Sequence, residues 1–262
     1  MNLIPKVTIV LIILGLTAAG GYYFYLQRNN PASNEASTAG QAIKPELLVS
    51  ERVISPIFSF NAERVWFMTP DGRMYRQAVA GGEKEELVLP EVITSPLEII
   101  WQTKGSDFVV VQNADGHIRY KFYDAEEQTF AVYPEGLRKP VFFAGDEKIA
   151  YDWVNATSSA HALKIADPTS ENFIKILDLG PANYQLAASP VRQEVVLFSA
   201  SEPVAKLLLV NVDTGRTYEI GEGGNYEGVR FAPDGRFILV SRQESGDPRL
   251  FVYNLESSRE ID

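Results

Sequence analysis

Cysteine is absent from the 262-residue chain. That absence removes disulfides, thiolate metal sites and cysteine nucleophiles together, while leaving the redox compartment open. Histidine is nearly absent as well: His117 and His161 are the two in the chain, so a histidine-centred catalytic set or zinc site has little to draw on. Neither a Gly-x-Ser-x-Gly elbow nor a His-Glu-x-x-His segment occurs. Positive charge is also scarce, with 24 Lys and Arg against 34 Asp and Glu for a formal net charge of -10. Nucleic acid is thereby excluded as a partner, because binding it needs a basic surface to displace counterions.

Near its start the chain lacks charge of either sign. Residues 7–27 form a charge-free run of 21 residues ending in Tyr22-Tyr23-Phe24-Tyr25. At about 1.5 Å rise per residue a helix of this length crosses a hydrocarbon core of about 30 Å, and the aromatic end suits the membrane boundary. Residues 1–28 are therefore expected to be a signal anchor, with a signal peptide cut after Thr17-Ala18-Ala19 as the competing reading. A short N-terminal tail most simply stays inside, which predicts a single-pass protein of the cell membrane with a cytoplasmic N-terminus and an extracytoplasmic remainder. Residues 29–43 are rich in Asn, Ser, Ala and Thr and lack large apolar side chains, so they read as a flexible linker.

Beyond the linker a motif returns five times, at Phe58-Ser59-Phe60-Asn61, Trp101-Gln102-Thr103-Lys104-Gly105, Phe143-Ala144-Gly145-Asp146, Ala188-Ser189-Pro190 and Phe231-Ala232-Pro233-Asp234-Gly235, in steps of 43, 42, 45 and 43 residues. Within each repeat the apolar runs are short, β-branched and aromatic, and turn residues divide them, which is a strand pattern and not a helical one. A period of this size is the length of one four-stranded propeller blade, which cannot bury both faces alone. The predicted fold is all-β: a β-propeller over residues 44–262, with blades near 54–89, 93–134, 137–178, 182–221 and 225–262. The motif aromatics, Phe231 among them, are expected in the core between blades.

Leu47-Leu48-Val49 stands where an outer strand would, without a blade of its own, so residues 44–50 are expected to close a ring by pairing with the last repeat around residues 250–255. Residues 260–262 begin a further outer strand. Two readings follow, a complete five-bladed ring or the first five blades of a longer protein.

Phe231-Ala232-Pro233-Asp234-Gly235-Arg236-Phe237-Ile238, followed by Leu250-Phe251-Val252-Tyr253-Asn254-Leu255, resembles the repeat of WD40-like, TolB-like bacterial β-propellers. The other four repeats depart from it at the Pro-Asp-Gly turn. The resemblance implies a secreted or membrane-tethered propeller that binds a protein, peptide or sugar ligand without a cofactor; its motif residues are structural, so no catalytic, metal or ligand-binding residue carries over. A monomer with no catalysis of its own is expected. The rival is the N-terminal propeller of a membrane-tethered serine peptidase, and a third reading is a propeller lyase or glycosidase with paired carboxylates in its channel.

Individual candidates have plain structural explanations. His117 reads as a solvated hairpin residue beside Asp115-Gly116, and His161, after Thr157-Ser158-Ser159, as part of a small-residue loop whose replacement by Ala should do little. Asp71, Asp115 and Asp234 precede Gly in turns and lack the alternating acids of a calcium loop. Glu83, Glu85, Glu86 and Glu91 read as a solvated face. Asn155-Ala156-Thr157 matches a glycosylation acceptor that matters only in a eukaryotic secretory route. Trp66, Trp101 and Trp153 are expected to pack between blades. The full chain is expected in the membrane fraction and residues 42–262 in solution; a mature N-terminus near Ala19 or Gly20 in a soluble extracytoplasmic fraction would refute the anchor.

Overall fold

The computed structural model describes residues 49–59, 62–102, 106–143, 145, 147–199, 205–244, 247–256 and 259–261. The expected anchor, linker and residues 44–48 lie outside them. Among the described residues no helix is long and apolar enough to cross a membrane, and all regular structure is β.

Three four-stranded antiparallel meanders come first, β1 (Ile54–Phe58) to β4 (Glu85–Leu87), β5 (Pro96–Trp101) to β8 (Thr129–Val132), and β9 (Leu137–Phe143) to β12 (Ile174–Leu179). Their middle strands are β2 (Arg64–Met68), β3 (Met74–Ala78), β6 (Phe108–Ala114), β7 (His117–Asp124), β10 (Lys148–Val154) and β11 (His161–Ala166). A seven-stranded sheet follows, from β13 (Tyr184–Ala188), β14 (Glu194–Ser199) and β15 (Ala205–Asn211) through β16 (Thr217–Phe231) to β17 (Phe237–Glu244), β18 (Asp247–Asn254) and β19 (Arg259–Ile261). It consists of two blade-like halves sharing one strand: Thr217 to Ile220 of β16 pair with β15, and Asn225 to Phe231 pair with β17.

The second strands β6 and β14 are apolar on both sides because their sheets are covered on both faces. In β6, Val109 and Val111 enter one buried cluster with Phe142, Ile149 and Tyr151 of the third sheet, while Phe108 and Val110 enter another with Ile54 and Met68 of the first. In β14, Val195 and Leu197 face Ala150 and Leu163, and Val196 and Phe198 face Tyr226 and Ile238. Alternation along a strand thus sends successive side chains into different cores. The first strands of successive sheets are neighbours in space. Ser55 ties the first two together: its carbonyl accepts the indole N–H of Trp101 at 2.7 Å and its hydroxyl accepts the Ile99 N–H at 2.9 Å.

Two expectations change in detail. Of the five motif positions only Phe143 is fully buried; Trp101, Ala188 and Phe231 are half-buried and Phe58 is exposed, because they end the first strands where the chain turns out of the sheet. At the ends of the chain, Val49 packs with Val53 against Val65, Phe67 and Tyr75 of the first sheet. The β18 edge expected to receive residues 44–50 is paired with β19 over Val252 to Asn254.

Turn chemistry fixes the hairpins. Asp115 and Gly116 are both left-handed, with φ of 53° and 81°, as a two-residue type I′ turn requires. Gly72 has a φ of 83°, and a Cβ there would also fall on the Ile93 backbone in the approach to β5. A Cβ on Gly116 would meet open space. Gly116→Ala should therefore cost roughly 1–2 kcal/mol, and Gly72→Ala about 3 kcal/mol or more because Ile93 must also move. Equal losses in urea unfolding would show that Ile93 yields freely.

Candidate functional site

In an antiparallel meander the first and third strands start at the same end, and short connections bring each new first strand back to that end. There the pairing becomes irregular. Ser55 and Pro56 together oppose Phe67, between the pairs Ile54↔Met68 and Ile57↔Trp66. Leu97 is the extra residue between Pro96↔Gln112 and Glu98↔Val111. Lys139 and Pro140 lie between Arg138↔Asp152 and Val141↔Ala150, and Glu227 lies between Tyr226↔Arg242 and Gly228↔Ser241. Four of the five blade-like units thus have a bulge where the first strand begins, whereas β13 pairs in regular register. Ser55, Ser95 and Lys139 are left-handed, with φ of 45°, 47° and 51°. Each such residue costs roughly 1–2 kcal/mol, and bulges re-aim side chains at rims and binding sites. Leu97, Glu98, Arg138, Lys139 and Glu227 are exposed along this rim.

At the third sheet the rim contains a buried ionisable pair. Asp152 interrupts the apolar run of β10, and its side chain is only 3% exposed. Both carboxylate oxygens lie near Nδ1 of His161, at 2.9 and 3.0 Å. Burial raises the Asp152 pKa above its ordinary value, and the His161 hydrogen bond opposes that rise. The Tyr184 ring meets the imidazole edge-on, with centroids 5.9 Å apart. Arg138 is the cross-strand partner of Asp152 on the other side. Close by, the Tyr120 hydroxyl accepts the Lys139 N–H at 3.3 Å, and burial raises the Tyr120 pKa.

His161 therefore pairs with a carboxylate and not with the preceding serines. In that loop the Asn155 side-chain oxygen accepts the N–H groups of Thr157 and Ser158, and Ser158 accepts that of Ala160. His117 opens β7 and is exposed. Asp71 bonds Thr69 and pairs with Arg73, Asp115 forms its turn, and Asp234 accepts the Arg236 N–H. Among the described residues no three His, Cys, Asp or Glu side chains gather as a metal site would need. Glu85 pairs with Arg64 and Arg76, Glu86 with Arg73, and Glu91 with Lys121, while Glu83 is exposed. Asn155 lies in the exposed β10–β11 turn. Trp66 and Trp101 meet edge-on at 6.4 Å, and Trp153 carries the Lys164 ammonium over its ring.

Two signals for this site were present in the sequence. Ser55-Pro56, Ser95-Pro96 and Lys139-Pro140 recur in steps of 40 and 44 residues and mark the bulged starts. Asp152 is an acid inside the apolar run from Ile149 to Val154 of a second strand, where an unpaired charge would be too costly.

The pair reverses the expectation that His161→Ala does little. Removing the imidazole leaves a buried carboxylate without its donor, a loss of about 1–3 kcal/mol at neutral pH. Asp152 holds its proton more tightly in the folded than in the unfolded chain, so its contribution is most favourable below the unfolded value of 3.8 and declines as pH rises through the raised folded value. The deficit of His161→Ala in urea unfolding should shrink in acid, and Asp152→Ala added to it should recover much of the loss. A pH-independent deficit would contradict the pairing.

No family model matches the chain, and no curated protein matches it. Solved structures do. A candidate TolB from Agrobacterium tumefaciens superposes with a TM-score of 0.62 at 13% identity, over 81% of this chain and 80% of that one. A chain of a nidogen/laminin complex gives 0.54 at 14% identity, over 81% and 80%. A prolyl endopeptidase gives 0.59 at 12% identity, over 78% of this chain but 34% of the enzyme. These likenesses establish an all-β fold resembling TolB-type β-propellers.

Proposed function

We propose that the chain supplies five blades of a β-propeller, tethered by an N-terminal helix to the outer side of a bacterial membrane, that binds a protein or peptide at the rim where its first strands begin. It catalyses nothing itself. The observation that carries this reading is the repeated bulge: irregular pairing recurs at one end of four units, with left-handed residues at three of them and exposed charged side chains at three, whereas the apolar second strands answer only to packing. Similarity over four-fifths of both the TolB candidate and the chain from the nidogen/laminin complex favours a binding module. The latter structure is itself a protein–protein complex.

The rival has support of its own, since the prolyl endopeptidase likeness occupies about a third of that enzyme, as a propeller portion would. In that reading the catalytic serine belongs to a hydrolase domain outside this sequence. A fluorophosphonate probe that labels the protein isolated from its source would carry the rival.

The rim itself is tested with a benzoylphenylalanine photocrosslinker in the intact membrane-bound chain. Placed at Leu97 it should capture a discrete protein partner, whereas at Val79, exposed just past the end of a third strand, it should capture none. Equal capture at both positions, or capture at Val79 alone, would overturn the rim as the binding surface. No protein capture at either would favour a glycan.

A further inference from the structure

The buried pair at the third sheet is poorly explained by stability. Desolvating a carboxylate costs several kcal/mol in general, and apolar residues of similar size commonly serve a core as well or better. What the pair does supply is orientation. Nδ1 of His161 lies within 3.0 Å of both Asp152 oxygens, so in the neutral ring the proton sits on Nδ1 and Nε2 is left as an acceptor. Tyr184 holds the ring edge-on from the neighbouring first strand. Among the described residues Nε2 has no hydrogen-bond partner, and the side chain retains 11% exposure. The arrangement is a fixed acceptor at the rim.

Its surroundings select the ligand. Arg138 stands across from Asp152, and Lys139 follows in the bulge; both are exposed, and neither forms an ion pair among the described residues. They disfavour a cationic ligand and favour carboxylates. Resting on the reading that this rim binds a protein, we propose that the third sheet takes an acidic peptide segment: a backbone N–H of the segment donates to His161 Nε2, while its carboxylates pair with Arg138 and Lys139. Asp152 is the positioning residue.

The test uses the intact chain in its membrane with the photocrosslinker at Leu97, and the scarcity of histidine helps, because only the Nδ1 and Nε2 signals of His117 and His161 appear from histidine rings in a ¹⁵N-histidine spectrum. In the wild type the His161 ring should show the Nδ1–H tautomer. His161→Ala should cut partner capture by about 10-fold or more, as loss of one well-oriented hydrogen bond with its ordered contacts allows. His161→Gln, which offers a donor to Asp152 and an acceptor outward, should restore much of it. Asp152→Asn should shift the ring toward Nε2–H and lower capture to a similar extent with a folded spectrum. Arg138→Ala with Lys139→Ala should weaken capture and flatten its salt dependence, and His117→Ala should leave it unchanged. Wild-type capture by His161→Ala, or a His161 ring in the Nε2–H form, would overturn this inference while leaving the rim standing. Absence of capture by the wild type would overturn both.

Discussion

Every sheet in this structure has two apolar faces, and nothing but another sheet or a covering segment can bury them. That constraint sets the rest. It forces Phe108 to Val111 and Val195 to Phe198 to be continuously apolar, since each residue serves one of two adjoining cores. It makes the first strands neighbours, and it gives Val49 and Val53 their role over the first sheet. The same demand explains β16, which runs from the edge of one unit into the start of the next without leaving the sheet. A hydrophobic cover is non-directional, so the fold tolerates wide variation in the turns, and the five motif copies need not match.

The rim follows a different physics. Burial rewards regular pairing, yet Ser55, Ser95 and Lys139 are held in left-handed conformations and the pairing slips beside them. Strain of this kind survives only where surrounding structure over-determines it. Part of that determination is visible at Ser55, whose carbonyl and hydroxyl both anchor the next first strand, and at Lys139, whose N–H meets the Tyr120 hydroxyl. Asp152 extends the pattern from backbone to side chain: a carboxylate is kept in a hydrophobic strand, at a cost, by one imidazole.

The second strands were legible in the sequence because their signal is local and redundant: four consecutive apolar residues bounded by turns can be little else at this period. The Asp115-Gly116 hairpin was legible for the same reason, its left-handed demand being written in two residues. The burial of the motif aromatics was less so. Phe58 and Phe143 occupy equivalent places in the repeat, yet one is exposed and the other buried, because burial there depends on what the adjoining sheet presents. The Asp152–His161 pair lay beyond a linear reading, since the partners are nine residues apart on opposite arms of a hairpin and the conspicuous neighbours of His161 were serines.

Repetition itself separates scaffold from site. Where the units agree, at the apolar second strands, the shared requirement is packing, and a residue type that recurs in every unit cannot confer a preference on one part of the rim. Where they disagree, at the irregular starts of the first strands, Ser55, Leu97, Lys139 and Glu227 place a hydroxyl, an aliphatic chain, a cation and an acid. A row of unlike groups on a common frame can recognise a partner that is itself asymmetric. The side chains that break the repeat are therefore not fixed by packing, and the Asp152–His161 pair, with Asp152 across from Arg138, is a departure of this kind that packing does not require.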